Sequence, residues 1–203
     1  MTLWAIVPIK PLRRGKSRLS GVLSDDDRAD LNRRLLSHTV HTLKNIPEVA
    51  DVLVVSRDTE ALSLARDFGA RTLQEDGAPH LNVALQRATL VAQGYKARSV
   101  LVLPADLPQL SSEDIRSLLR AGEKPPVVVI APDHLHEGTN ALYMNPAGLI
   151  EYDFGEGSYE RHRQRALAAG VDLQICELPS LAHDVDVPAD LDFLAMPLEK
   201  ISE

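Results

Sequence analysis

Five cations crowd one short stretch of the chain, Lys10-Pro11-Leu12-Arg13-Arg14-Gly15-Lys16-Ser17-Arg18: Lys10, Arg13, Arg14, Lys16 and Arg18 fall within nine positions. The formal net charge of the whole chain is −7, so this is a cationic spot on an anionic protein and suits a small polyanion. Gly15-Lys16-Ser17 imitates the end of a phosphate-binding P-loop, but that motif places its first glycine at position 10, which here is Lys10. The backbone therefore lacks the residue that lets a P-loop wrap phosphates. The segment reads instead as an open loop in which Lys10, Lys16 and Arg18 meet a triphosphate through charge-assisted hydrogen bonds. The bland alternative is a solvated basic turn.

Acids stand at two other places. Leu101-Val102-Leu103-Pro104-Ala105-Asp106 sets a carboxylate just after an apolar run that reads as a central strand, and ligands of open α/β sheets bind beyond the carboxyl ends of strands. Asp106 thus lies where a metal or a ribose would sit, or else is a turn residue capping its own loop. His183-Asp184-Val185-Asp186-Val187-Pro188 adds two carboxylates two residues apart, Asp184 and Asp186. They suit a site shared with Asp106, although strict strand alternation would turn them to opposite faces. Hard oxygen ligands of this kind fit Mg²⁺ rather than zinc. His38, His41, His134 and His136 have charged neighbours and read as solvated side chains rather than ligands.

Phe154-Gly155-Glu156-Gly157-Ser158 precedes a helical stretch containing Arg161, His162 and Arg163. Glycines before a helix start expose backbone N–H groups that favour an anion, and Ser158 can both cap and bind. Gly138-Thr139-Asn140 opens a strand and offers a hydroxyl and an amide near the same edge.

These residues need a scaffold, and the pattern supplies one. Short aliphatic runs alternate with amphipathic stretches, as in an α/β fold with a largely parallel sheet. Strands are expected near 3–8, 51–56, 71–74, 98–103, 126–131, 139–143 and 171–178. The plainest helix is 26–44, with Leu31, Leu35, Leu36, Val40 and Leu43 on one side and Arg28, Arg33 and Arg34 facing outward. Helices 58–68 and 111–121 stop before Gly69 and Gly122, and Pro188 opens a last short helix to Leu194. At 203 residues, with no linker or repeat, the chain is expected to form one domain, 1–203.

Composition narrows the function. Hydrophobic residues make up 44% and charged residues 25%, which is ordinary globular usage. The net negative charge argues against nucleic acid, and no apolar run approaches the roughly 20 residues of a membrane span. The N-terminal Met-Thr-Leu-Trp-Ala-Ile-Val-Pro reads as a strand rather than a secretory signal, so a cytoplasmic protein is expected. The single cysteine, Cys176, reads as a buried spectator thiol.

In order along the chain, Ile6-Val7-Pro8-Ile9-Lys10-Pro11 with Lys16-Ser17-Arg18-Leu19, Gly77 through Leu81-Asn82-Val83-Ala84-Leu85, Pro104-Ala105-Asp106-Leu107-Pro108, Gly138-Thr139-Asn140-Ala141-Leu142, Phe154-Gly155 with Ser158, and Asp184-Val185-Asp186-Val187-Pro188 form a set. This set resembles the 2-phospholactate and phosphoenolpyruvate guanylyltransferases of coenzyme F-420 biosynthesis over nearly the whole chain. The resemblance implies a nucleotide-diphospho-sugar-transferase-like fold, a Rossmann-like three-layer sandwich on a mixed, mostly parallel sheet. It implies Asp106, Asp184 and Asp186 as Mg²⁺ ligands and Thr139, Gly155 and Ser158 as contacts to the acceptor. Leu81 and Asn82 would lie near the guanine, with Lys10, Lys16 and Arg18 on the triphosphate. Lys16, Arg18 and Asp106 then carry catalysis. GMP would pass from GTP to a phosphorylated three-carbon acid, phosphoenolpyruvate first and 2-phospho-L-lactate or 3-phosphoglycerate as alternatives, with hand-off of the product to the next transferase of the pathway. An acceptor phosphate is already ionised at neutral pH and needs no general base, which agrees with a chain that shows no nucleophile and base pair. Rival readings are a glycosyltransferase, from the Asp-x-Asp form of 184–186, a sugar-phosphate nucleotidylyltransferase, and a non-catalytic GTP-binding module.

Overall fold

A computed structural model describes residues 2–77 and 80–194. Seven strands form one sheet: β1 (Leu3–Pro8), β2 (Val49–Ser56), β3 (Arg71–Gln74), β4 (Ser99–Val102), β5 (Val127–Pro132), β6 (Thr139–Asn145) and β7 (Asp172–Ile175). The helices are α1 (Asp25–Lys44), α2 (Thr59–Asp67), α3 (Leu81–Gly94), α4 (Ser112–Ala121), α5 (Ser158–Ala168) and the single turn α6 (Pro179–Ala182). Two 3₁₀ turns, Ser17–Leu19 and Pro188–Phe193, flank them. No described helix is long and apolar enough to cross a membrane.

The sheet order is β3-β2-β1-β4-β6-β5-β7. Pairings are parallel except those of β6 with β4 and β5, so β6 runs against the other described strands. Strand β1 shows why three layers form. Leu3, Ala5 and Val7 join the core under α1, α2 and α4, while Trp4 and Ile6 join the opposite core under α3 and α5. A strand buried on both faces must be apolar throughout, which is why its sequence does not alternate.

Helix ends follow local chemistry. Ser24 and Asp27 form a reciprocal capping box at the start of α1, Asp58 caps α2 and Ser111 caps α4. Gly69 takes φ of +76° after α2, the left-handed conformation that ends helices. Gly122 ends α4 for a different reason. A Cβ there would fall 2.7 Å from Cδ1 of Tyr143 and 3.2 Å from a Val129 methyl. Tyr143 is buried and cannot swing away. Gly122→Ala is therefore expected to lower unfolding free energy by about 1–3 kcal/mol in urea melts, without a change in m-value.

Most element boundaries agree with expectation to within two residues. Three expectations change. The strand expected over 171–178 ends at Ile175, although the Cys176 N–H still bonds to the Ile130 carbonyl at 2.9 Å and leaves the thiol half-buried. The final helix is a 3₁₀ turn. Arg28, expected on the outer face of α1, is buried because its guanidinium reaches back to the loop after β1.

After β1 the chain leaves toward β2 on one side of the sheet order, and β4 lies on the other. That reversal opens a crevice beyond the carboxyl ends of β1 and β4, and it is there that the basic loop and Asp106 emerge.

Candidate active site

The basic loop is fastened before it offers any side chain. One oxygen of Asp58 accepts the Leu12 N–H at 2.8 Å while the other caps α2 at the Glu60 N–H, 2.9 Å away. From α1, the Asn32 amide donates to the Leu12 carbonyl at 2.6 Å and Arg28 donates to the Gly15 carbonyl at 3.3 Å. A Cβ on Gly15 would lie 2.8 Å from the Asn32 amide nitrogen, so this approach requires glycine.

Lys16 then takes a left-handed conformation, φ 58°, and turns inward. Its ammonium lies 2.8 Å from Oδ2 of Asp106, with side-chain exposures of 6% for Lys16 and 31% for Asp106. Arg18, on the following 3₁₀ turn, pairs with Asp186 at 2.7 Å in a more open setting. Lys10 is exposed at the mouth of the loop. Two of the three cations expected to meet phosphates, Lys16 and Arg18, thus each rest on one of the acids expected to bind metal.

Val185 explains how Asp184 and Asp186 are placed. It is buried in a small cluster with Leu19, Leu31 and Leu35, so the residues on either side of it straddle the cluster. The Val185 N–H bonds to the Asp106 carbonyl at 3.0 Å, and the Asp190 carboxylate accepts the N–H groups of Asp186 and Val187, both at 2.7 Å. Asp184 faces Asp106. Its carboxyl is held above the usual carboxylate range, first by burial and second by the Asp106 charge. Oδ1 of Asp106 is itself buried without a hydrogen-bond partner. Asp186 points instead to Arg18, and among the described residues no three His, Cys, Asp or Glu side chains stand close enough together to hold a metal. Of the three expected carboxylates, Asp184 feels the charge of both others, Asp106 more strongly than Asp186, which pairs with Arg18.

The expected acceptor residues converge at the start of β6. Continuing the β4–β6 register past Val102↔Leu142 sets Thr139 level with the turn that carries Asp106. Ser158 and Thr139 are both buried, with their hydroxyl oxygens 3.4 Å apart. Gly155 has φ of +131° and Gly157 φ of +71°, conformations that demand glycine and bend the loop into the start of α5. The first N–H groups of α5 are engaged inside the protein: Ser158 bonds to the Gly155 carbonyl at 3.0 Å and Tyr159 to that of Glu137 at 3.2 Å. Beside them the Thr139 and Ser158 side chains supply two hydroxyls.

Leu81 and Asn82 open α3, a helix whose start has no side-chain cap and no acid in its first turn. Leu81 is 42% exposed. The Asn82 amide donates to the Phe154 carbonyl at 3.2 Å and accepts the Phe154 N–H at 2.8 Å, so it clasps the loop that leads into Gly155. Residues 78 and 79, within the Gly77–Leu81 stretch, lie outside the described residues.

Sequence reasoning gave no role to Asp58, Asn32, Asp190 or His162. His162 lies four residues after Ser158, hence on the same face of α5, and that spacing was the available signal. Among the other histidines, His41, His134 and His136 are exposed as expected, whereas His38 is half-buried at 3.1 Å from the Leu110 carbonyl, and burial lowers its pKa.

Comparison with known proteins shows the family and the fold. The family described as guanylyl transferase CofC like matches residues 3–199. The phosphoenolpyruvate guanylyltransferase of Rubrobacter xylanophilus is 41% identical over 191 residues, covering 94% of this chain and 92% of that protein. Its counterpart from Sphaerobacter thermophilus is 37% identical, covering 96% and 93%. Among solved structures, a protein of Desulfovibrio desulfuricans G20 described as a nucleotide-diphospho-sugar transferase superposes with a TM-score of 0.77 at 17% identity, over 100% of this chain and 90% of its own. CMP:2-keto-3-deoxy-manno-octonic acid synthetase, in complex with CTP, superposes with a TM-score of 0.65 at 14% identity, over 96% and 97%. These two likenesses establish the fold, a nucleotide-diphospho-sugar-transferase type of three-layer sandwich.

Proposed function

The chain belongs to the CofC-like guanylyl transferase family, and from that premise we propose that it transfers GMP from GTP to the phosphate of phosphoenolpyruvate as a single nucleotidyltransferase domain. The observation that carries this reading is the placement, beyond the carboxyl ends of β1 and β4, of the Lys16–Asp106 pair with Asp184 and of the Thr139–Ser158 hydroxyl pair. The first group suits a triphosphate and its counter-ion, the second a small anionic acceptor. The names of the relatives favour phosphoenolpyruvate over 2-phospho-L-lactate or 3-phosphoglycerate. The product would enter coenzyme F-420 biosynthesis and pass to the next transferase of that pathway.

In this reaction an acceptor phosphate oxygen forms a bond to the α-phosphorus of GTP while the bond from that phosphorus to the bridging oxygen breaks, and pyrophosphate leaves with the electron pair. No proton has to be removed, so catalysis consists of positioning and charge neutralisation. Lys16 and Arg18, with Lys10 at the mouth, hold the triphosphate and stabilise the departing pyrophosphate. Thr139 and Ser158 donate to the acceptor, and the absence of a side chain at Gly155 admits it. Leu81 lies against the guanine, beside Asn82.

A divalent cation fits two of the acids. The unpartnered buried oxygen of Asp106 and the raised Asp184 carboxyl are hard donors with unmet negative charge between them. We assign Mg²⁺ to Asp106 and Asp184, with Asp186 as a third carboxylate for which Arg18 competes. When bound, Mg²⁺ would supply charge neutralisation at the reacting phosphates.

The test is an acceptor panel: the purified chain with GTP, Mg²⁺ and, separately, phosphoenolpyruvate, 2-phospho-L-lactate, 3-phosphoglycerate and a set of sugar 1-phosphates, read by the mass of the adduct. A guanylylated phosphoenolpyruvate is expected. Turnover confined to a sugar 1-phosphate would overturn the reading, and adducts on another three-carbon acid alone would reassign the acceptor.

A further inference from the structure

Behind the two hydroxyls lies a histidine that never reaches solvent. His162 is 0% exposed, and Phe154 packs its ring edge-on at 4.8 Å. Both ring nitrogens have partners. Nε2 lies 2.9 Å from the Asp153 backbone nitrogen, and Nδ1 lies 3.0 Å from Oγ1 of Thr139. A backbone N–H can only donate, so Nε2 must carry a lone pair. The neutral ring then has its proton on Nδ1, and Thr139 Oγ1 must accept it. A hydroxyl that accepts from the ring has its single proton free to point away from it, toward the acceptor position proposed above. Burial acts in the same direction, lowering the His162 pKa to about 4 against the attraction of Asp153, with Arg161 and Arg165 adding to the lowering.

We infer that His162 is a positioning residue that fixes the Thr139 hydroxyl as a hydrogen-bond donor to the anionic acceptor. This rests on the acceptor reading of Thr139 proposed above. Asp153 supplies the other end of the relay, and it is held in place by Arg161 at 3.0 Å and Arg165 at 2.7 Å. The chain of donors runs from the Asp153 N–H through the ring to Thr139, so the direction of the last proton is set by a backbone amide that cannot reverse.

Two measurements test it on the full chain. Long-range ¹H–¹⁵N NMR of the histidines reads the tautomer with no substrate present: a neutral ring protonated on Nδ1 is expected from pH 6 to 8, and a ring protonated on Nε2 would overturn the inference. Kinetics then read the route. His162→Phe keeps an aromatic ring without nitrogens and should raise KM for phosphoenolpyruvate about 10-fold, as Thr139→Val does, with KM for GTP changing less than about 2-fold. The double variant should be no worse than about 2-fold below Thr139→Val, because one relay is lost once. His162→Asn, whose amide nitrogen can stand in for Nδ1, should recover part of the loss, whereas His162→Gln should not. Losses that add in full would show that His162 acts apart from Thr139 and would overturn the inference. An unchanged acceptor KM in Thr139→Val would instead remove Thr139 from the acceptor site, while the NMR result would still decide the tautomer.

Discussion

Asp106→Asn is expected to lower kcat by at least about 100-fold at saturating Mg²⁺ while the protein melts within a few degrees of the wild type. The argument separates two parts of the same residue. The Asp106 carbonyl accepts the Val185 N–H at 3.0 Å and so ties the β4 loop to the 184–187 segment, a contact that the substitution leaves in place. The carboxylate is different: one oxygen meets Lys16 and the other is buried without a partner. Asparagine has the same shape, so the loss is one of charge at the point proposed for the reacting phosphates, and losing a preorganised electrostatic group there costs several kcal/mol of transition-state stabilisation. Steady-state kinetics with a Mg²⁺ titration check it. Turnover within about 3-fold of the wild type would remove Asp106 from the reacting centre and leave it as a partner for Lys16.

The scaffold was largely legible because it rests on local chemistry. Leucine periodicity marks α1, doubly buried strands such as β1 and β5 read as unbroken apolar runs, and Ser24 with Asp27, Asp58 and Ser111 fix three helix starts through bonds spanning two or three residues. Helix α3 carried no such signal. Its start lacks a cap and an early acid, and its helical state is secured by packing Ala84, Leu85, Ala88 and Ala92 under the sheet rather than by its own ends. The site divides along the same line. Lys16 and Asp106 could be singled out because their neighbours in sequence mark loops at strand ends, and Ser158 because glycines mark the start of its helix. Asn32, Asp58 and His162 could not, since each acts on a segment reached only by folding: Asn32 holds a carbonyl 20 residues away, Asp58 an amide 46 residues away and His162 a hydroxyl 23 residues away. Arg28 was misplaced for that reason too. Helical periodicity put it outside, and the Gly15 carbonyl drew it in. The alternation argument that would part Asp184 from Asp186 does describe the outcome, because buried Val185 sits between one acid facing Asp106 and another facing Arg18.

Lys16→Met is expected to lower kcat/KM for GTP by at least about 100-fold while changing KM for the acceptor little. Lys16 occupies a left-handed conformation that costs a non-glycine residue on the order of 1 kcal/mol, and its surroundings hold it there. What the conformation achieves is an ammonium turned inward against Asp106, at 6% side-chain exposure, beside the position proposed for the triphosphate. Such a donor costs no reorganisation when charge develops on the leaving pyrophosphate, and removing one of this kind costs about 10²–10³ in rate. Lys16→Gly separates the two contributions, since glycine takes φ of 58° freely. If the turn alone mattered, Lys16→Gly would be near wild type; if the ammonium matters, both variants fail alike. The stability effect should be smaller than the loss of a fully buried ion-pair partner, because Asp106 keeps 31% of its side chain in solvent. It should also depend on metal. With Lys16 gone, Asp106 and Asp184 face each other with less compensating charge, so added Mg²⁺ should raise the melting temperature of Lys16→Met more than that of the wild type. Equal shifts in the two proteins, together with unchanged GTP kinetics, would return the basic loop to a solvated turn.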